Sequence, residues 1–303
     1  MRDIEVERTD WKPDEKRQQP EALPEGVRVI EGDARLVDPD GNVVAVVCEP
    51  NRADLGRLAW VAREILAQNY WVNVIVAEGS SRLSGMKNTH ITFGTTAPQP
   101  LRRRYGCSTA AFDRDLPRLA SEIRHMATTA WGALQGYAPV VADEVTNAVF
   151  PAIHDDWLLF DSPWTSGIIN KTSALPYHRD SGNLIGSWSA MYVLRNRVAG
   201  GELHLPEYGV AFDCADKSLV MFDGQLAWHG VTPLAIDDHP EAYRYTLVYY
   251  AKRACRACIN ASSEADRAAR EATSHDYERT EMLDGLGMRE KRDAQVAEGS
   301  PGG

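Results

Sequence analysis

The sequence predicts an α+β protein with one catalytic-sized core and extended ends. Three observations carry that expectation. Two helical stripes stand in the first half, short β-rich runs follow one another after Trp164, and 303 residues exceed one small domain but fall short of two large ones. Gly200-Gly201, Pro206-Glu207-Tyr208-Gly209 and Asp223-Gly224 punctuate the second half at the spacing of an antiparallel sandwich or barrel, not of a βαβ array.

From the start to about Glu31, charges mix with Pro13, Pro20 and Pro24 without either periodicity, which predicts a mobile arm over 1–32 with no core of its own. VVAVVC, Val43 to Cys48, reads as a buried strand. Leu55, Leu58, Ala59, Ala62, Ile65 and Leu66 then form one helical stripe within 52–68. NYWVNVIVA, Asn69 to Ala77, reads as a strand, and 79–106 as a turn-rich, partly basic stretch. Leu116, Leu119, Ile123 and Met126 mark an amphipathic helix within about 115–134. These elements make 33–160 a helical and mixed support region. WTSGIIN, SWSAMYVL, GGELHL, KSLVMFD, LAWHG and YRYTLVYYA are the strands of a β core over 161–256. From 257 to 303 the chain has many i, i+4 charge pairs and a thin apolar stripe, so a charged helical or disordered tail is expected.

With 44% hydrophobic and 25% charged residues, collagen-like, coiled-coil and wholly disordered chains are excluded. The longest apolar runs are far below the roughly 20 residues of a bilayer span, and the first ten residues have no signal-peptide core. No membrane partner is expected. Five scattered cysteines do not resemble a disulfide framework, and a reducing, cytoplasmic setting fits them. The net charge of −10 gathers at the ends: 1–32 holds nine acids against six bases, and 261–303 ten against six. The nearly neutral middle leaves nucleic acid open as a partner without arguing for it.

His178, Asp180 and His229 carry the most chemistry. On an extended segment His178 and Asp180, two positions apart, point the same way, and His229 from LAWHG can join them. Two imidazoles and one carboxylate hold iron(II) on one face and leave the other positions open for oxygen. A surface His–Asp pair and a core histidine are the plain alternative. Arg244 and Thr246 share one face of an apolar strand, where a buried guanidinium needs an anion to offset its desolvation. A dicarboxylate such as 2-oxoglutarate supplies one, clasped by the planar fork; a structural Arg–Asp pair is the alternative.

HRDSGN (His178 to Asn183), HGVTP (His229 to Pro233) and RYTLVYY (Arg244 to Tyr250) resemble the motifs of the iron(II)/2-oxoglutarate dioxygenases, and among them the TET/JBP oxygenases that act on the methyl group of thymine or 5-methylcytosine. GGELHLPEYGVAF, Gly200 to Phe212, is similar to the turn of J-binding-protein and phage-like or bacterial members. The similarity covers 164–251 well and weakens upstream. It implies a double-stranded β-helix, the cupin-like jelly roll, with flanking helices. It further implies Fe(II) on His178, Asp180 and His229, 2-oxoglutarate on Arg244 and Thr246, a polar base contact from Asn183 and base stacking on Tyr250. Core packing for Tyr250 and a turn role for Asn183 remain the plain readings. DNA, single- or double-stranded, is the implied partner and O2 the oxidant. The Cys-rich zinc region of animal TET enzymes is missing from the sequence, and Lys252 stands where those enzymes place a histidine.

Other signals are weaker. Arg102-Arg103-Arg104, with Arg82 and Lys87 nearby, is a candidate phosphate-tracking patch. Cys255 and Cys258 have zinc or redox spacing, but only as one pair. His90, His125, His154, His204, His239 and His275 lack a partner at ligand spacing and are read as structural or exposed. Two other functions stay in view: the same oxidation on a free nucleoside, amino acid or protein side chain, and a non-catalytic binding module on the same fold.

Overall fold

Period-two alternation sorts each long strand of the β core onto two faces, and those faces build two separate cores. In the computed structural model, which describes residues 1–15, 18–20, 22–50, 52–68, 72–75, 87–98 and 105–285, the strands are β1 (Arg2–Glu5), β2 (Arg28–Ile30), β3 (Ala34–Val37), β4 (Val43–Cys48), β5 (Val72–Ile75), β6 (Lys87–Thr96), β7 (Ser108–Thr109) and β8 (Ser166–Lys171). The later strands are β9 (Ser189–Asn196), β10 (Val198–Gly200), β11 (Leu203–Leu205), β12 (Val210–Phe212), β13 (Leu219–Phe222), β14 (Gly230–Val231), β15 (Leu234–Ile236) and β16 (Tyr243–Tyr250). The helices are α1 (Arg52–Ala67), α2 (Ala111–Asp115), α3 (Pro117–Tyr137), α4 (Pro139–Val149) and α5 (Ala261–Gly285).

The large sheet runs β1-β3-β4-β13-β9-β16-β8-β6-β5, with β7 added to β6; a smaller sheet runs β14-β11-β12-β2. The helices cover the outer face of the large sheet. Tyr192, Leu194, Tyr245, Leu247 and Tyr249 project there and meet Leu58, Ile123, Met126, Trp131 and Val145 in one buried cluster. The alternate residues Met191, Val193, Val220 and Phe222 face inward and pack against Leu203, Leu205, Val210 and Phe212 of the small sheet. Two facing sheets with helices on one side form the expected α+β jelly roll. Arg244 and Thr246 alternate with Tyr245 and Leu247, so the pleat that gives Tyr245 and Leu247 to the helices turns Arg244 and Thr246 between the sheets.

Several expectations need correction. The first 32 residues are not without core: β1 pairs in parallel with β3, β2 pairs with β12, and Ile4, Val6 and Ile30 are buried. Their short apolar contributions complete sheets made elsewhere in the chain, which no local periodicity reveals. For the same reason the β core is not confined to 161–256, because β3 and β4 extend its large sheet beyond β13 and β6 joins it at β8. The stripe of α3 continues through Trp131 and Leu134 to Tyr137, and α4 begins two residues later at Pro139, a first-turn position where the missing N–H costs nothing. Leu66, assigned to the stripe of α1, is exposed. The tail is helical through α5, whose Glu264 is fully buried and accepts backbone N–H groups of Cys107 and Ile259.

The cysteines also depart from expectation. Cys107 and Cys258 form a disulfide with a Cα–Cα distance of 5.8 Å, while Cys255 is a buried free thiol. The close sequence pair is therefore not a zinc or redox unit; the partner of Cys258 comes from 151 positions upstream. Arg82 and Arg102 to Arg104 of the basic patch lie outside the described residues. Among the described residues no helix is long and apolar enough to cross a membrane.

Candidate active site

His178 and His229 meet as an isolated antiparallel bridge, His178 on an irregular segment and His229 on the residue just before β14. Each donates its backbone N–H to the other's carbonyl, at 2.9 and 3.0 Å, so the two side chains rise side by side with ring centroids 4.2 Å apart. Asp180 follows on a bend rather than a regular strand. Its N–H bonds to the carbonyl of Gly224, which turns the carboxylate toward both rings. Gly224 is required at that point, because a Cβ there would lie 2.5 Å from Asp180 Oδ2.

The donor atoms converge. Asp180 Oδ1 is 3.6 Å from His178 Nε2, and Oδ2 is 3.9 Å from His229 Nε2. One nitrogen or oxygen of each of the three residues lies within 4.8 Å of the others. Ligand atoms about 2.1 Å from a common ion stand at most about 4.2 Å apart, so these separations suit a shared metal better than direct hydrogen bonds. Each imidazole keeps its Nδ1 against a backbone carbonyl, Pro176 at 2.8 Å and Ala227 at 3.0 Å, which fixes the tautomer that presents Nε2. Burial pushes His229 down to about 4, assisted by the neighbouring His178, so its Nε2 lone pair is available at neutral pH.

A cavity of about 380 Å³ opens from this cluster toward β16 and is lined at its far end by Arg244, Thr246 and Asn170. Arg244 is 1% exposed, gives one N–H to the carbonyl of Gly201 at 2.8 Å, and has a buried Nε with no hydrogen-bond partner. Burial lowers its pKa, and the opposing influence of Cys214 and Glu202 offsets that only in part. Arg195 sits opposite it in the strand register and adds positive charge at that end. A buried guanidinium with an unpartnered Nε, the Thr246 hydroxyl and the donor trio across one cavity fit iron with a chelating dicarboxylate.

Gly200 and Gly201 explain how the guanidinium is admitted. Both have positive φ, 72° and 79°, and a Cβ on Gly201 would lie 2.9 Å from Arg244 Nε and 2.4 Å from Leu234 Cδ2. Gly201→Ala is therefore expected to raise KM for 2-oxoglutarate about tenfold, from a strain of roughly 1–3 kcal/mol, while Fe(II) affinity changes little; titrating both ligands checks it.

Asn183 is buried, with its Nδ2 3.1 Å from Ser189 Oγ and 3.4 Å from Asp180 Oδ2. It lines the cavity while steadying the carboxylate. Tyr250 lines the same cavity at its mouth, and the Lys252 ammonium lies 5.8 Å from its ring centroid. Arg179 turns away to Glu207 at 2.7 Å and stacks on Trp228.

Glu207 escaped the sequence reading as a site residue, and His204, read as structural or exposed, proves to be buried. Glu207, in the PEY turn, is a buried carboxylate that takes Arg8, Arg179 and the Trp228 N–H. His204 is buried on β11 with its Nδ1 2.7 Å from the Tyr177 hydroxyl, and burial pushes it down to about 4. Only a contact across the sheets could reveal either. His204 is neutral in the fold and protonated below its usual 6.5 when unfolded, so stability should be complete above about 6.5 and fall between there and about 4. The loss is at most about 3 kcal/mol. Urea titrations of metal-free protein at pH 7.5 and 4.5 check this, and His204→Gln should flatten part of the fall.

A jelly roll that offers two imidazoles, a carboxylate and a buried guanidinium to one cavity has the architecture of the iron(II)/2-oxoglutarate oxygenases, which are enzymes. The chain carries such a domain of Tet/JBP type: residues 105–253 match the Tet_JBP family model, the oxygenase domain of the 2OGFeDO superfamily. Its cofactors are accordingly Fe(II) and 2-oxoglutarate. In fold the chain is similar to NgTET1 in complex with 5mC DNA, with a TM-score of 0.54 and 12% identity over 76% of this chain and 80% of that one. A 2OG-Fe(II) oxygenase family oxidoreductase from Burkholderia pseudomallei aligns at a TM-score of 0.40 and 14% identity, over 69% and 88% of the two chains. No curated protein matches the sequence.

Proposed function

We propose that the protein hydroxylates the methyl group of a pyrimidine base, 5-methylcytosine or thymine, in DNA. The observation that carries this reading is the Tet/JBP domain match together with a cavity that runs from His178, Asp180 and His229 to Asn183 and Tyr250 at its mouth. The likeness in fold to NgTET1 in complex with 5mC DNA agrees with it.

In this reading His178, Asp180 and His229 hold the iron through Nε2, a carboxylate oxygen and Nε2. Arg244 and Thr246 would bind a carboxylate of 2-oxoglutarate. When bound, iron(II), 2-oxoglutarate and O2 supply the conversion of a C–H bond to an alcohol, with succinate and carbon dioxide as coproducts. The chain's own residues bind, orient and exclude water. Met191, Phe222, Val231 and Ile168 form apolar walls around the cavity. Asn183 keeps Asp180 aimed at the metal position and offers a polar edge to the base. Tyr250 gives a flat ring on which a base swung out of the duplex stacks, as chemistry on an atom inside the helix requires.

The test is a product assay. Duplex and single-stranded DNA containing 5-methylcytosine or thymine, incubated with Fe(II), 2-oxoglutarate and the protein, should yield 5-hydroxymethylcytosine or 5-hydroxymethyluracil after digestion. Succinate production without either product in any DNA would remove the DNA reading and leave the oxygenase.

A further inference from the structure

We infer that the N-terminal segment, outside the matched oxygenase domain, is a positioning strap that completes the iron site, with Trp11 and Arg8 as its principal contacts. The inference rests on the reading of His178, Asp180 and His229 as iron ligands.

Little local structure holds those ligands. His178 and His229 lie on a single isolated bridge, flanked by Tyr177 and Arg179 on one segment and by Trp228 and Gly230 on the other. On the His229 side the ladder of β14 with β11 begins only at Gly230, and on the His178 side no strand between β8 and β9 fixes the register or the tilt of the side chains. The N-terminal segment touches three of these flanking residues directly and meets the fourth, Arg179, through Glu207. The Trp11 ring meets Tyr177 edge-on at 4.7 Å between centroids and Trp228 at 6.5 Å. The carbonyl of Gln18 accepts the Tyr177 N–H at 2.9 Å, and the Gln19 amide bonds to the carbonyl of Val231 at 3.3 Å. Pro20 closes on Gly230, where a Cβ would lie 2.9 Å from its Cγ.

The remaining flank is held through Glu207. Its Oε1 accepts Arg179 at 2.7 Å and Arg8 at 2.9 Å, its Oε2 accepts the Trp228 N–H at 2.6 Å, and its backbone carbonyl takes the Thr9 N–H at 2.7 Å. Arg8 also bonds to the carbonyl of Leu226 at 2.9 Å, three residues before His229. One buried carboxylate thus joins Arg179, which stands between His178 and Asp180, to Trp228, which precedes His229, and Arg8 shares that carboxylate from outside. β1 and β2 anchor the segment on two different sheets, so its path across the ligand segments is set at both ends. Groups that orient metal ligands from outside the ligand set commonly change metal affinity 10- to 100-fold.

The decisive measurement is Fe(II) affinity, read by anaerobic titration of the full chain without 2-oxoglutarate or substrate. Trp11→Ala is expected to weaken it about 10- to 100-fold, with Trp11→Phe restoring most of the loss because a planar ring still meets Tyr177. Arg8→Gln, a change at a partly exposed side chain, is expected to weaken it about tenfold and decides the matter if Trp11→Ala does not fold. Circular dichroism and metal-free thermal melts identify the folded variants. A wild-type chain that binds iron, with folded Trp11→Ala and Arg8→Gln binding it equally well, overturns the strap and leaves the ligand assignment standing. A wild-type chain that binds no iron overturns both.

Discussion

Replacing His229 with alanine is expected to lower Fe(II) affinity at least about 100-fold, beyond the usual effect of removing a group outside the ligand set, and to abolish 2-oxoglutarate turnover. Of the three donors, His229 is the most buried, and its depressed basicity keeps its Nε2 unprotonated where His178 and Asp180 remain partly open to water. Its removal leaves one imidazole and one carboxylate, too few to set the geometry of a facial site. Stability of the metal-free protein should fall less than affinity, because the backbone bridge to His178 does not depend on the ring. Competition with a chelator of known strength measures the effect. Wild-type affinity in a folded His229→Ala variant would disprove the ligand assignment.

Arg244→Met is expected to move function and stability in opposite directions. KM for 2-oxoglutarate should rise at least about 100-fold, since two charge-assisted hydrogen bonds at about 1.5–3 kcal/mol each are lost. In the ligand-free protein the same change removes a guanidinium whose Nε is buried without a partner and whose burial cost the charge of Glu202 offsets only in part. An isosteric apolar side chain there is neutral or stabilising, by about 1 kcal/mol or more. Arg244→Lys should restore little of the affinity, because a point charge cannot reproduce a planar fork. Steady-state KM with Fe(II) saturating, and urea denaturation without ligands, give the two readings. A variant with unchanged KM would show that the cosubstrate binds elsewhere.

These two effects concern residues that the sequence already singled out, and the reason is local. Arg244 and Thr246 occupy alternate positions of YRYTLVYY, so a strand with tyrosines and leucine on one face must turn them to the other. The β-rich second half was legible for the same reason, from Ser189–Asn196 through Tyr243–Tyr250. His178 and Asp180 were chosen as residues of a strand, yet they belong to a bridge and a bend. They converge through the Gly224 carbonyl and the His229 backbone, which a two-residue periodicity does not describe.

By itself the sequence determined the alternation of the β core, the helix face of α3 and the side chains proposed to hold iron and an anion, because these depend on residue type and short-range period. Tertiary structure alone decided the pairing of β1 and β2, the Cys107–Cys258 disulfide, the burial of Glu207 and His204, and the orphaned Nε of Arg244. Each of these depends on which distant segments meet. Burial and hydrogen-bond satisfaction belong to the contact between segments, and no single segment carries them.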